Sequence, residues 1–148
     1  MRNLLLPLLA LVLACESTVP GIYKLSGDYE GSLAGTGPYG QEATGTLKVS
    51  LDQHEESFDG FGQVSALVVS GQGEERTWRA DFGLTGAVEP DSEPELTMSV
   101  FDLCSVSRLT GRRAGLAIVL FGEVSPADED CVPLPGPIHM LARLEPVG

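Results

Sequence analysis

Reactive side chains are scarce in this sequence. Two histidines, three cysteines and one tryptophan are spread through 148 residues. His54 and His139 lie far apart, and neither has a cysteine beside it, whereas a zinc site needs three or four convergent ligands. There is no CxxC pair, no Gly-x-Ser-x-Gly elbow, no phosphate loop and no dinucleotide fingerprint. Gly35-Thr36-Gly37 is a fragment of a glycine-rich loop, but no helical pattern follows it to hold a phosphate. The serines are plentiful, yet none is flanked by a residue that would activate it. His54-Glu55-Glu56 reads as a solvated turn. Asp128-Glu129-Asp130 and the acids between residues 89 and 95 lack the spacing of a calcium loop and read as exposed acidic loops. The expectation is no catalytic residue, no metal and no cofactor.

Positive charge is also scarce. Nine Lys and Arg stand against 21 Asp and Glu, a net charge of −12. Nucleic-acid binding rests on neutralising phosphates, so this balance excludes it. It equally excludes adhesion to anionic headgroups through a basic patch. Self-repulsion that keeps the protein soluble is one use of such a charge. A docking face for a basic partner is the other.

Long apolar runs are missing except at the start. Arg2 and the α-amino group precede a nearly unbroken apolar run over residues 4–13, then Ala14 and Cys15. This is the layout of a secretory signal peptide. The run falls short of the roughly 20 apolar residues that span a bilayer. Val12-Leu13-Ala14-Cys15 resembles the bacterial lipobox, with an aliphatic residue, a tolerant position, a small residue and the cysteine. That resemblance implies a diacylglyceryl group on the Cys15 sulfur, removal of residues 1–14 and acylation, such as palmitate, of the new amino terminus. Stable anchoring takes about two acyl chains, which a diacylated Cys15 supplies. Glu16, rather than aspartate, follows it, and by the same resemblance this favours the outer membrane. Residues 15–24 then form a tether, and 25–148 one domain.

With Cys15 lipidated, Cys104 and Cys131 remain as one pair. An exported protein meets oxidising conditions, so a disulfide is expected. Closing a loop of about 30 residues is worth roughly 3–4 kcal/mol in the chain-entropy account.

The body alternates with period two, the signal of strands. Tyr29, Gly31 and Leu33 share one phase, as do Leu47, Val49 and Leu51, then Val64, Ala66 and Val68. Trp78, Ala80, Phe82, Leu84, Gly86 and Val88 make the longest clean run. Leu96, Met98 and Val100 follow, then Leu116, Ile118, Leu120 and Val124, then Ile138, Met140, Ala142 and Leu144. A further strand is expected near residues 105–109. Turn signals occupy residues 35–45, 52–57, 71–75, 89–95, 111–115 and 125–137. The fold class is therefore all-β: a small antiparallel meander barrel of about seven or eight strands, with a β-sandwich as the alternative. Gly60, Gly62, Gly86 and Gly122 read as bulges or bends.

Gly27-Asp28-Tyr29 in the first strand resembles the Gly-x-Trp that opens lipocalin-type barrels, with Tyr for Trp. Arg143 in the last strand resembles the basic residue that packs over that aromatic. The resemblance implies an apolar cavity, which Trp78, Phe82, Met98, Leu120 and Met140 would line; the same residues otherwise fill the core, since small barrels have little spare room. The functional expectation is a non-catalytic binding or interaction domain, anchored in the bacterial cell envelope through Cys15. Its partner would be a basic envelope protein, a cell-wall hydrolase being one version. The alternative is a carrier of a small apolar ligand.

Overall fold

Alternation makes each strand one-sided, and one-sided strands must share a common interior. The computed structural model describes residues 24–88, 95–101, 105–126 and 136–148. The strands are β1 (Gly27–Thr36), β2 (Glu42–His54), β3 (Ser57–Val69), β4 (Glu75–Val88), β5 (Glu95–Phe101), β6 (Ser105–Ala114), β7 (Ala117–Pro126) and β8 (Ile138–Pro146). Each pairs antiparallel with its chain neighbour, and β8 returns to β1, with Gly31 opposite Leu144, so the sheet is a closed barrel. It is a meander rather than a sandwich, and closure removes the exposed edges. Such a barrel is compatible with the lipocalin-like form. Among the described residues no helix is long and apolar enough to cross a membrane.

The strands run further into the expected turns than the sequence suggests. β2 continues to His54 and β3 begins at Ser57, leaving Glu55 and Glu56 as a two-residue turn. Glu55 holds φ at 58°, a conformation that such turns usually assign to Asn or Gly. Local bonds hold it there: Gln53 Nε2 donates to the Glu55 carbonyl at 2.8 Å, and Ser57 Oγ to the His54 carbonyl at 3.0 Å. β6 likewise runs to Ala114, and the turn is Gly115-Leu116. This corrects one expected inward residue. Leu116 is 69% exposed because it occupies the turn, and Ala117, expected on the opposite phase, is buried.

The glycines also differ from expectation. The ladders pass Gly60, Gly62, Gly86 and Gly122 in unbroken register, without bulges. Their role is to leave space. Gly62 faces Phe82 across the β3–β4 ladder, and Gly86 faces Phe58. A Cβ at either glycine would run into the opposite phenyl ring. Each ring lies over a glycine, so two aromatics fit inside a narrow barrel.

Both ends have their own closure. At the near end, where the chain enters, Leu25 is in the core. Its N–H donates to Gln53 Oε1 at 2.7 Å, and Ser26 Oγ accepts from the Gln53 N–H at 2.9 Å. At the far end Gln41 is buried, its Oε1 accepting from the Tyr39 N–H at 2.8 Å. Its carbonyl accepts from Gly37 N at 2.8 Å and closes the β1–β2 turn.

Candidate functional site

The interior comes first, because the five expected lining residues point there. Trp78, Phe82, Met98, Leu120 and Met140 come from β4, β5, β7 and β8, and all are buried. They surround one internal space of about 30 Å³, shared with Leu47, Val49 and Val64. Small-molecule pockets measure about 300–1,000 Å³. The space is the size of one water, but a buried water needs about two to four polar partners, and of the lining side chains only the Ser107 hydroxyl and the Trp78 indole N–H are polar. The inward side chains mainly pack against one another.

At the near end, Tyr29 is buried and Arg113 stands close to it. Burial raises the Tyr29 phenol above its usual pKa of 10.0, and the Arg113 charge opposes part of that rise. Arg113 donates from Nε to the Gly115 carbonyl at 2.9 Å and from Nη1 to the Lys24 carbonyl at 3.4 Å. It thus ties the β6–β7 turn to the entering chain. The lipocalin resemblance assigns the cation to Arg143, and that placement is corrected. Arg143 is opposite Ser32, points outward and is bonded to Glu145 at 2.9 Å. Its strand phase is that of His139, one side-chain position away from the interior.

The β2–β3 hairpin carries a polar cluster. Among the described residues, Asp52, His54 and Asp59 bring one ligand atom each within 4.8 Å of one another. Asp52 and Asp59 are direct cross-strand partners, and His54 Nε2 lies 3.4 Å from Asp52 Oδ2. All three are exposed to water. The group forms with Asp52 and Asp59 rather than with Glu55 and Glu56, because outward residues two apart share a face. His139 is on the far side of the barrel, 3.9 Å from Glu123.

The outer face of β3, β4 and β5 holds an arrangement that the strand pattern alone does not reveal. Phe61 is opposite Gly83, and Gly83 is opposite Phe101. The three form one row across the sheet and point outward. Phe61 is 67% exposed and Phe101 56%. A Cβ placed on Gly83 meets nothing within 4 Å, so the position between the two phenylalanines is an open slot in the outer face. Asp59 and Gln63 flank Phe61 along β3, and Asp81 flanks Gly83 along β4. Gln63 Nε2 donates to Asp81 Oδ1 at 2.8 Å, fixing that carboxylate beside the slot.

Cys15, Cys104, Cys131 and the Asp128–Asp130 acids lie outside the described residues. The fold and these surfaces define a class: a small closed up-and-down barrel with an apolar interior and a polar, acidic exterior. Comparison with family models, with curated proteins and with solved structures finds no match for this chain.

Proposed function

We propose that the chain is a lipid-anchored protein of the bacterial cell envelope, held at the outer membrane by acyl chains on Cys15. Its barrel is a non-catalytic binding module that recognises a basic envelope protein with its outer surface. The observation that carries this reading is the interior, where the space ringed by the five inward side chains measures only about 30 Å³. Recognition then falls to the exterior. There Asp28, Glu30, Asp52, Asp59 and Asp81 crowd the outward faces of β1–β4. A carrier of a small apolar ligand would need roughly ten times the interior room.

The lipobox motif supports the anchor. The chain enters the barrel at the near end, and residues between Cys15 and Lys24 span on the order of 30 Å at most. That end therefore faces the bilayer and leaves the acidic strands lateral to it. In the same reading Cys104 and Cys131 form a disulfide in the oxidising envelope.

Two experiments test it. Cys15→Ala is expected to move the protein from the membrane fraction to the soluble fraction, and to abolish the acyl mass of the mature chain. Equal membrane recovery of both forms refutes the anchor. Pull-down from envelope extracts is expected to recover a basic protein whose capture fades between low salt and about 0.15 M, as screened charge contacts do. Recovery of nothing at low salt refutes the partner.

A further inference from the structure

Gly83 has no structural reason to be glycine. A glycine in a strand interior weakens it, so each one calls for a cause. Gly62 and Gly86 make room for phenyl rings, and Gly31, Gly45 and Gly60 are pressed by the backbone of a neighbouring strand. Gly83 has none of these neighbours, and among the described residues it is the one strand glycine with nothing within 4 Å of its missing Cβ. Its φ is not in the left-handed region. What its missing side chain does is keep open the slot between Phe61 and Phe101, two of the more exposed large apolar side chains of the barrel.

We propose that the Phe61–Gly83–Phe101 slot receives an arginine side chain of the basic partner, stacked between the two phenyl rings. This rests on the binding-module reading and names where the contact is made. The two phenylalanines lie two strands apart, about 10 Å at the backbone. That separation lets the rings close on a planar group from both sides. A guanidinium is planar, weakly hydrated and attracted to aromatic faces. The surrounding charge selects a cation. Asp59 and Asp81 border the slot and Asp52 pairs with Asp59, whereas the cations of this face stand farther from Gly83: Arg79 beyond Asp81 on β4, Arg108 on β6 opposite Ser99, and Lys48 engaged by Glu30 at 3.6 Å. An apolar occupant would desolvate these carboxylates without repaying them, and a neutral sugar would leave their charge unused.

The test uses the full chain, expressed in a bacterial host and purified as that host processes it, with fluorescent octa-arginine as probe. Binding is measured at low salt for the wild type and for Phe61→Ala, Phe101→Ala and Gly83→Thr. Threonine at 83 fills the slot, suits a strand and meets no neighbour, so its melting temperature is expected to equal or exceed the wild type's. Each variant is expected to lower affinity roughly threefold, as loss of an exposed cation–π contact does. Leu141→Ala, an exposed apolar truncation on β8, is expected to bind as wild type. Octa-lysine is expected to bind more weakly and to be insensitive to the three substitutions. If octa-arginine binds all three variants as it binds the wild type, the slot is refuted while the acidic binding surface stands. If it does not bind the wild type at low salt, the binding-module reading fails and the slot with it. Slot-dependent binding of a chitin oligosaccharide or an octyl chain, with none of octa-arginine, also overturns the proposal.

Discussion

Single residues carry more of this fold than their composition suggests. Gly62 is the clearest case, because Phe82 occupies the volume its side chain would take. Gly62→Ala is therefore expected to destabilise the barrel by about 1–3 kcal/mol, as overpacking does, read from urea unfolding. Tyr29 supplies a pH dependence. Its folded pKa lies above its ordinary value of 10.0, chiefly through burial, so the neutral phenol is favoured in the folded state. That contribution is complete below about pH 10 and is lost as pH rises through the raised folded value. Tyr29→Phe is expected to flatten the fall in melting temperature above pH 10. The inward direction of Tyr29, Trp78, Phe82, Met98, Leu120 and Met140 was legible from period-two spacing alone. Which cation lies near Tyr29 was not. Arg113 and Arg143 are both basic residues near strand ends, and pairing register decides between them.

Elements were legible in kind but not in length. Each alternating run is a strand because one face must be buried. Two turns, at residues 55–56 and 115–116, are shorter than their expected spans, because a two-residue hairpin needs only two residues off the ladder. Leu116 follows from the same fact: its apolar side chain continues the strand pattern, whereas Gly115, with φ at 65°, makes it part of the turn. The Glu55-Glu56 turn was legible in place, within residues 52–57, but not in length, since neither residue is a usual two-residue turn former. Glu55→Gly is expected to stabilise the hairpin by about 1 kcal/mol, the cost of a left-handed conformation in a residue with a Cβ. Thermal unfolding would read it, and a lower melting temperature would show that the Glu55 side chain has a compensating role.

At the scale of the molecule, closure was the least legible feature. Whether β8 returns to β1 depends on the pairing of Gly31 with Leu144, residues from opposite ends of the chain, and local pattern is silent on it. A sandwich and a barrel share the same alternation. The slot was hidden for the same reason, because Phe61, Gly83 and Phe101 become neighbours only through two ladders. Closure also predicts a failure. A chain ending before Ile138 would leave β1 and β7 as open edges, and it is expected to elute as aggregate from a sizing column rather than as monomer. The exterior itself argues against a strand-spanning membrane protein. Glu30, Lys48, Asp59, Asp81 and Glu123 project from the strands outward, where a membrane barrel would present an apolar band to lipid.

The sole tryptophan of the sequence, Trp78, is 5% exposed and sits opposite Ala66 inside the barrel. Its indole emission is therefore a built-in optical gauge. While the barrel is shut the light is blue-shifted and aqueous iodide cannot quench it. Any excursion that parts the strands reddens it and admits the quencher, so the molecule signals its own opening without a dye.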